Sequence, residues 1–312
     1  MPKKKIIKIF FLGITIFSCL LVPYLYKGQV GLVKNETSGF FVVIPIAKFT
    51  QSDLPCLNVE IEDKEFLALL DLGYTRYVSA AVDISNKISE KTFLRTSTNW
   101  GFRGTPWFHK IYQIPLMHLG GLTFSPIPLD EENDGQRQEG VIVKSQDAPA
   151  VLTQGKLGWK LFKDMALYLD LDHDTMTACD SLETFQKQGH SLAHFVKVPL
   201  ILERELIEFE IGTPKGPLRC FLDTGCTSNH LQMHNKENIP LEELYFDEQR
   251  IVRFPRFRIG NQQFGPLTFH PIPINIPIRT QAVLGMDFLF DHKVFIDFKN
   301  RYIYFCRNEE SS

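Results

Sequence analysis

The chain has 312 residues, 44% of them hydrophobic, and a formal net charge of −2. That length holds two ordinary domains with real cores. The near-neutral balance excludes the basic footprint of a nucleic-acid binder, and 26 Phe, set with Ile and Val in short alternating runs, favour strands over helices.

At the N-terminus, Lys3, Lys4, Lys5 and Lys8 precede an apolar run over residues 9–26. A basic flank before a run of that length is a signal anchor or an export signal. Positive charge on the short leader keeps it inside and exports the body. No small-x-small site ends the run, which favours an uncleaved anchor over a cleaved signal peptide. Ile16-Phe17-Ser18-Cys19 is a poorer, lipoprotein-type alternative. Residues 1–30 are therefore expected to tether an extracytoplasmic body to a membrane, on the periplasmic or extracellular face, or to leave it secreted if cleaved. Asn35-Glu36-Thr37 fits a glycosylation sequon, meaningful in a eukaryotic secretory route.

Beyond the leader, one frame occurs twice. Phe41-Val42-Val43-Ile44-Pro45-Ile46 matches Phe195-Val196-Lys197-Val198-Pro199-Leu200. Each is followed by a strand–turn–strand unit that ends in an Asp: Leu69-Leu70-Asp71-Leu72-Gly73-Tyr74-Thr75 in the first half, Phe221-Leu222-Asp223-Thr224-Gly225-Cys226-Thr227 in the second. Polar and Gly/Pro turns between the apolar runs are hairpin signals. Downstream, Leu122-Thr123-Phe124-Ser125-Pro126-Ile127-Pro128 aligns with Leu267-Thr268-Phe269-His270-Pro271-Ile272-Pro273, and residues 157–179 align without a gap on 284–306. Repetition at this length means two copies of one domain. The division is residues 39–180 for the first lobe, 181–194 for a polar linker and 195–306 for the second lobe. Short helices are expected at residues 159–163 and 286–291. Residues 130–152, opening with Asp130-Glu131-Glu132-Asn133-Asp134, read as an insertion forming a solvated surface loop.

Other residues carry less. Cys56, Cys179, Cys220, Cys226 and Cys306 show no metal spacing, and the repeat-equivalent Cys179 and Cys306 fit shared packing better than pairing. His230 and His234 have i,i+4 spacing but fall where a strand is expected. Asp170-Leu171-Asp172-His173-Asp174 sits where the second copy has a hairpin turn, so it reads as a turn and not a cation loop. No cofactor or metal is implied.

The two Asp loops carry the chemistry. An apolar strand delivers each carboxylate, and the following Gly lets the backbone turn closely. A pseudo-twofold places Asp71 and Asp223 face to face, where two carboxylates a few ångströms apart share a proton. One takes a proton from water and the other gives one to a carbonyl, which is general acid–base hydrolysis of an amide.

Over residues 41–306 the chain resembles the aspartic peptidases, the pepsin and retropepsin-like clan. The carriers are Phe221-Leu222-Asp223-Thr224-Gly225, Leu70-Asp71-Leu72-Gly73 and Ala282-Val283-Leu284-Gly285-Met286-Asp287-Phe288-Leu289. The family's apolar-apolar-Gly strand is matched by Val283-Leu284-Gly285 and less well by Lys156-Leu157-Gly158. The resemblance implies a mainly β, bilobal acid-protease fold of two retropepsin-sized, β-barrel-like lobes with a cleft between them. It implies Asp71 and Asp223 as catalytic residues, Gly73, Thr75, Thr224, Gly225 and Thr227 as loop support, and a substrate-binding flap at residues 100–107. Gly101, Phe102, Gly104 and Trp107 would form that flap, with an ordinary aromatic turn as the plainer reading. The expected function is a monomeric aspartic endopeptidase acting on extended polypeptides. The alternative is a catalytically silent module of the same fold that binds a peptide or protein partner. Leu72 favours the second, because the family's hydroxyl at that position bonds across the twofold and an apolar side chain cannot. Fewer hydroxyl donors, with Tyr74 and Cys226 in the next positions, should raise the pair's apparent pKa values and place any activity in mildly acidic conditions.

The basic leader makes the topology testable. Protease added to intact spheroplasts should digest the body after about residue 26; a body that stays protected and is soluble after lysis would remove both anchor and export.

Overall fold

The computed structural model describes residues 31–32, 39–49, 52–100, 106–132, 154–232, 251–272 and 280–308. The apolar run at residues 9–26 lies outside them. Among the described residues no helix is long and apolar enough to cross a membrane.

The chain is mainly β, as its alternating Phe, Ile and Val runs predict, and its strands form three sheets. The strand Ser52–Ile61 shows how the pattern works. Leu57, Val59 and Ile61 are buried while Asn58 is exposed, so the side chains alternate between core and solvent. A two-residue turn with positive φ at Glu62 and Asp63 reverses the chain into Lys64–Asp71. Along this second strand Phe66, Ala68, Leu69 and Leu70 are all buried, because the strand runs into the middle of its sheet and both faces are covered. Each fully buried Phe or Leu contributes about 1.5–3 kcal/mol.

The repeat is visible in the pairing. In the first half Lys64–Asp71 pairs in parallel with Gly155–Gly158, which pairs antiparallel with Val78–Ala81. In the second half Gly216–Leu222 pairs in parallel with Ala282–Leu284, which pairs antiparallel with His230–Gln232. The third sheet takes strands from both halves. Its six strands run Val196–Pro199, Tyr302–Arg307, His292–Asp297, Ala166–Asp170, Thr175–Cys179, Phe41–Pro45. That order is symmetric about the central pair, in which Leu169 lies opposite Val294 and Ala166 opposite Asp297. The matched anchors at residues 41–46 and 195–200 thus perform the same task, each pairing with the last strand of its own copy. The helices expected near residues 159 and 286 form at Trp159–Phe162, as a 3-10 turn, and at Met286–Leu289. A further helix, Leu182–Lys187, starts at Ser181, whose hydroxyl accepts from the Thr184 N–H, and buries Phe185 against Phe295 and Tyr168. Residues 171–174 form the expected turn, and all five cysteines outside the leader are free.

Two readings of the sequence are corrected. The anchor that set residues 122–128 on 267–273 is out of register by five positions. Gly120 and Gly260 occupy matching turns, with φ of 57° and 56°, between Met117–Leu119 and Leu122–Ser125 and between Phe257–Ile259 and Gln262–Phe264. Ile127–Glu132 is therefore the counterpart of Leu267–Ile272, and each pairs in parallel with the strand that follows its Asp loop. The shared Pro-Ile-Pro had mimicked an alignment. The second correction follows from the first. Asp130, Glu131 and Glu132 are not loop residues but the buried end of a strand, at 3%, 5% and 9% exposure. Residues 133–152 of that expected insertion lie outside the described residues.

Gly158 and Gly285 end the matching apolar-apolar-Gly strands. A Cβ on Gly158 would stand 2.2 Å from the Arg76 carbonyl oxygen, and one on Gly285 2.5 Å from that of Cys226. Gly158→Ala and Gly285→Ala should each lower stability by about 1–3 kcal/mol or more in urea unfolding, because main chain must move. Parent-like midpoints in both would show that these strands do not brace the Asp loops.

Candidate functional site

The strands Lys64–Asp71 and Gly216–Leu222 deliver Asp71 and Asp223 to facing loops. The approach is close: a Cβ on Gly73 would lie 2.5 Å from the Asp223 carboxyl carbon, and one on Gly225 2.7 Å from that of Asp71. Only glycine leaves each carboxyl room against the opposite loop. The two carboxyls face each other closely enough to titrate as a pair. Gly225 N–H donates to Asp223 Oδ1 at 2.8 Å, and the Gly73 N–H also faces the Asp223 carboxyl.

Thr224 ties the loops together. Its hydroxyl oxygen accepts from Leu72 N–H at 2.9 Å, and its hydroxyl donates to the Leu70 carbonyl at 2.5 Å. Both partners are buried, so leaving them unpaired would cost about 1–3 kcal/mol each. Leu72 gives no reciprocal hydroxyl; its side chain is fully buried in the main core. Thr75 is half-buried and Thr227 exposed, the latter offering its carbonyl to Asp287 N–H at 3.2 Å. Gly101, Phe102 and Gly104 lie outside the described residues. Trp107 falls within Pro106–Ile114, which pairs with Thr92–Trp100 as an antiparallel hairpin.

Charged residues that the sequence reading left aside surround the first loop. Tyr74 Oη donates to Asp130 Oδ2 at 2.8 Å, and Arg76 Nε lies 3.1 Å from the same oxygen. His109, nearly fully buried on the hairpin, has its Nε2 3.7 Å from it. Glu132 lies 3.5 Å from the ammonium of Lys156, which also stands 5.7 Å over the Tyr74 ring. At the corresponding place in the second half stand His270 and Ile272 for Asp130 and Glu132, and Val283 for Lys156. The Gly120–Gly260 correspondence carries the signal that places these acids on a buried strand.

Burial dominates the protonation of the site. Desolvation, then repulsion by Asp71, pushes Asp223 up to about 8. Desolvation also raises Asp71, opposed by the positive charge of Lys156. The upward direction expected from missing hydroxyls is present, but its first cause is loss of water. Desolvation, opposed by Arg76, lifts Asp130 to about 6, and burial pulls His109 down to about 4. Burial likewise holds the Cys226 thiol near 12, so it is inert as a nucleophile.

No family model matches the chain, and no curated protein matches it. Among solved structures, it is similar to conglutin gamma, a basic 7S globulin from lupine seeds, with a TM-score of 0.57 and 11% identity over 87% of this chain and 96% of that one. It is also similar to basic 7S globulin from soybean, with a TM-score of 0.53 and 11% identity over 85% and 94%. At that identity the likeness defines the fold alone. The expected membership of the aspartic peptidases is corrected here: no peptidase family model matches, and these similar structures are basic 7S globulins. The physical reason is that the duplicated Asp loops and the apolar-apolar-Gly strands are elements of a fold, and a fold does not fix an activity.

The raised carboxyls give stability a pH dependence. An unfolded Asp ionises near 3.8, while Asp223 in the fold holds its proton to about 8. Between those values the folded state binds more protons, so the contribution is complete below 3.8 and is lost as pH climbs to about 8. Asp223→Asn should flatten the fall in unfolding free energy across that window and gain on the parent toward pH 8. A parent that is equally stable throughout would show the pair to be ordinarily ionised.

Proposed function

We propose that the chain is a polypeptide-binding module: two β-barrel-like lobes with a cleft between them that holds an extended peptide or a partner's loop, without turnover. The observation that carries this reading is the inequality of the two Asp loops. Their frames match, but the first has lost its cross-lobe hydroxyl at Leu72 and lies beside the Lys156–Glu132 ion pair. The likeness in fold to two globulins supports it. The hairpin suits an extended ligand. Among the described residues Thr92–Trp100 is the last strand of its sheet, so it offers main-chain groups for strand addition, and Phe93 on it and Phe108 on its partner strand stand exposed at 54% and 64%. In this reading the protein is a monomer with an internal pseudo-twofold, held on the outer face of a membrane by residues 1–30, and it takes no cofactor and no nucleic acid.

A second reading has one specific observation in its favour. Asp71 and Asp223 face each other with Asp223 held protonated to about 8, which is the state required of an endopeptidase that activates water between two carboxylates. In that chemistry Asp71 takes the proton of the attacking water while Asp223 protonates the carbonyl oxygen, and the amide then breaks as a proton passes to its nitrogen.

One experiment separates the two. The full chain, with Asp71→Asn and Asp223→Asn variants, is incubated with a peptide library at pH about 4 to 7, and bound and cleaved peptides are read by mass spectrometry. Peptides retained intact by all three proteins establish binding. Products formed by the parent and lost by orders of magnitude in both variants establish hydrolysis instead. Neither retention nor products would remove both readings.

A further inference from the structure

The cleft reading leaves the two carboxyls interchangeable, whereas their surroundings are not. Gly155–Gly158 is wedged between the Asp71 strand and Val78–Ala81, with Lys156 N–H bonded to Ser79 Oγ at 3.1 Å. Its neighbours Leu157 and Gly158 lie in register with Leu70 and Asp71. In the second half Leu284 lies in register with Leu222, which makes Val283 the counterpart of Lys156. The strand beside Asp71 therefore carries an ammonium, which acts on Asp71 more than on Asp223, where the strand beside Asp223 carries an isopropyl group.

The geometry points to Lys156 as a positioning residue that fixes the order of the pair, holding Asp71 as the anion and leaving the shared proton on Asp223. Among the described residues, the charged and titratable groups around the pair are few. From the first half come Lys156, Glu132 and, in the loop itself, Tyr74; from the second comes Cys226. Tyr74 is held neutral by burial and by Asp130, and Cys226 by burial. The balance thus falls to Lys156 against Glu132. Burial opposes the charge on Lys156, but Glu132, then Asp71 and, least, Asp223 outweigh it and keep the ammonium protonated. A ligand then meets one donor and one acceptor in a fixed order. Asp223 offers O–H to a carbonyl or hydroxyl oxygen, and Asp71 accepts from water, an N–H or a ligand hydroxyl. That consequence rests on the cleft reading; the placement of the proton does not.

The test uses the unliganded full chain with carbon-13 in the Asp carboxyls, followed by NMR against pH. In Lys156→Met the acid-side ionisation of the pair should move up by about 1–3 pH units, the usual effect of losing an opposite charge at this range. In Glu132→Gln it should move down, because an anion facing Asp71 is removed. In Lys156→Arg it should stay with the parent. A merely structural Lys156 would shift both charge-removing variants together or neither, and either pattern overturns the assignment. If Lys156→Met does not fold, the opposed behaviour of Glu132→Gln and Lys156→Arg decides: a parent-like curve in Glu132→Gln, or a displaced one in Lys156→Arg, overturns it. Because neither ligand nor turnover enters the titration, its failure leaves the peptide-library result untouched, and the reverse holds too.

Discussion

The site depends on one hydroxyl. Thr224 reaches from the second half into the first and bonds both an N–H and a carbonyl of the Asp71 loop. Those two contacts fix the distance between the loops, and that distance forces glycine at positions 73 and 225. Close approach in turn leaves both carboxyls only partly accessible to water, and that desolvation raises both of them. A single side chain thus sets spacing, residue choice and proton count together. Leu72, its counterpart, contributes packing instead, so the brace between the halves is one-sided.

The duplication preserves backbone and discards electrostatic symmetry. The pairings around Asp71 and Asp223 correspond strand for strand, yet the first half lines them with Asp130, Glu132 and Lys156 and the second with His270, Ile272 and Val283. Burying three charged groups is costly unless they pair. Here Asp130 takes Tyr74 and Arg76, and Glu132 takes Lys156. These partners come from the Asp71 loop and from the strand Gly155–Gly158, so the charges also hold the Asp71 loop to its sheet. Asp130 stays poised near 6 because Arg76 and Tyr74 only partly offset its burial.

Much of the fold was legible because it rests on patterns that a linear sequence carries. The two Asp loops, the anchors at residues 41–46 and 195–200, the terminal hairpins and the short helices near residues 159 and 286 all depend on local apolar runs with turn residues between them. The buried acids were not legible, for a physical reason. A run such as Asp130-Glu131-Glu132 reads as solvated because isolated charges avoid cores. Its partners Arg76, Lys91, Lys110 and Lys156 are brought in by strand pairing, which no local pattern reports. The misplaced Pro-Ile-Pro alignment hid the clue that would have set these acids on a strand. Leu72 was read as a missing hydroxyl, and its burial in the main core adds that its place is occupied by packing.

The six-stranded sheet has a consequence for how such a chain can be divided. Its two innermost strands, Ala166–Asp170 and His292–Asp297, come from different copies and bond to each other along their length. Cutting the chain near residue 190 and separating the products would leave each fragment with a bare, apolar strand edge, Leu167 and Leu169 on one and Val294 and Ile296 on the other. Such an edge recruits whatever strand is at hand, and the nearest in shape is the same edge on a second identical fragment. The internal twofold therefore stores the geometry of a homodimer, and fusion of the two copies makes permanent, at any concentration, an association that separate fragments would have to find by collision.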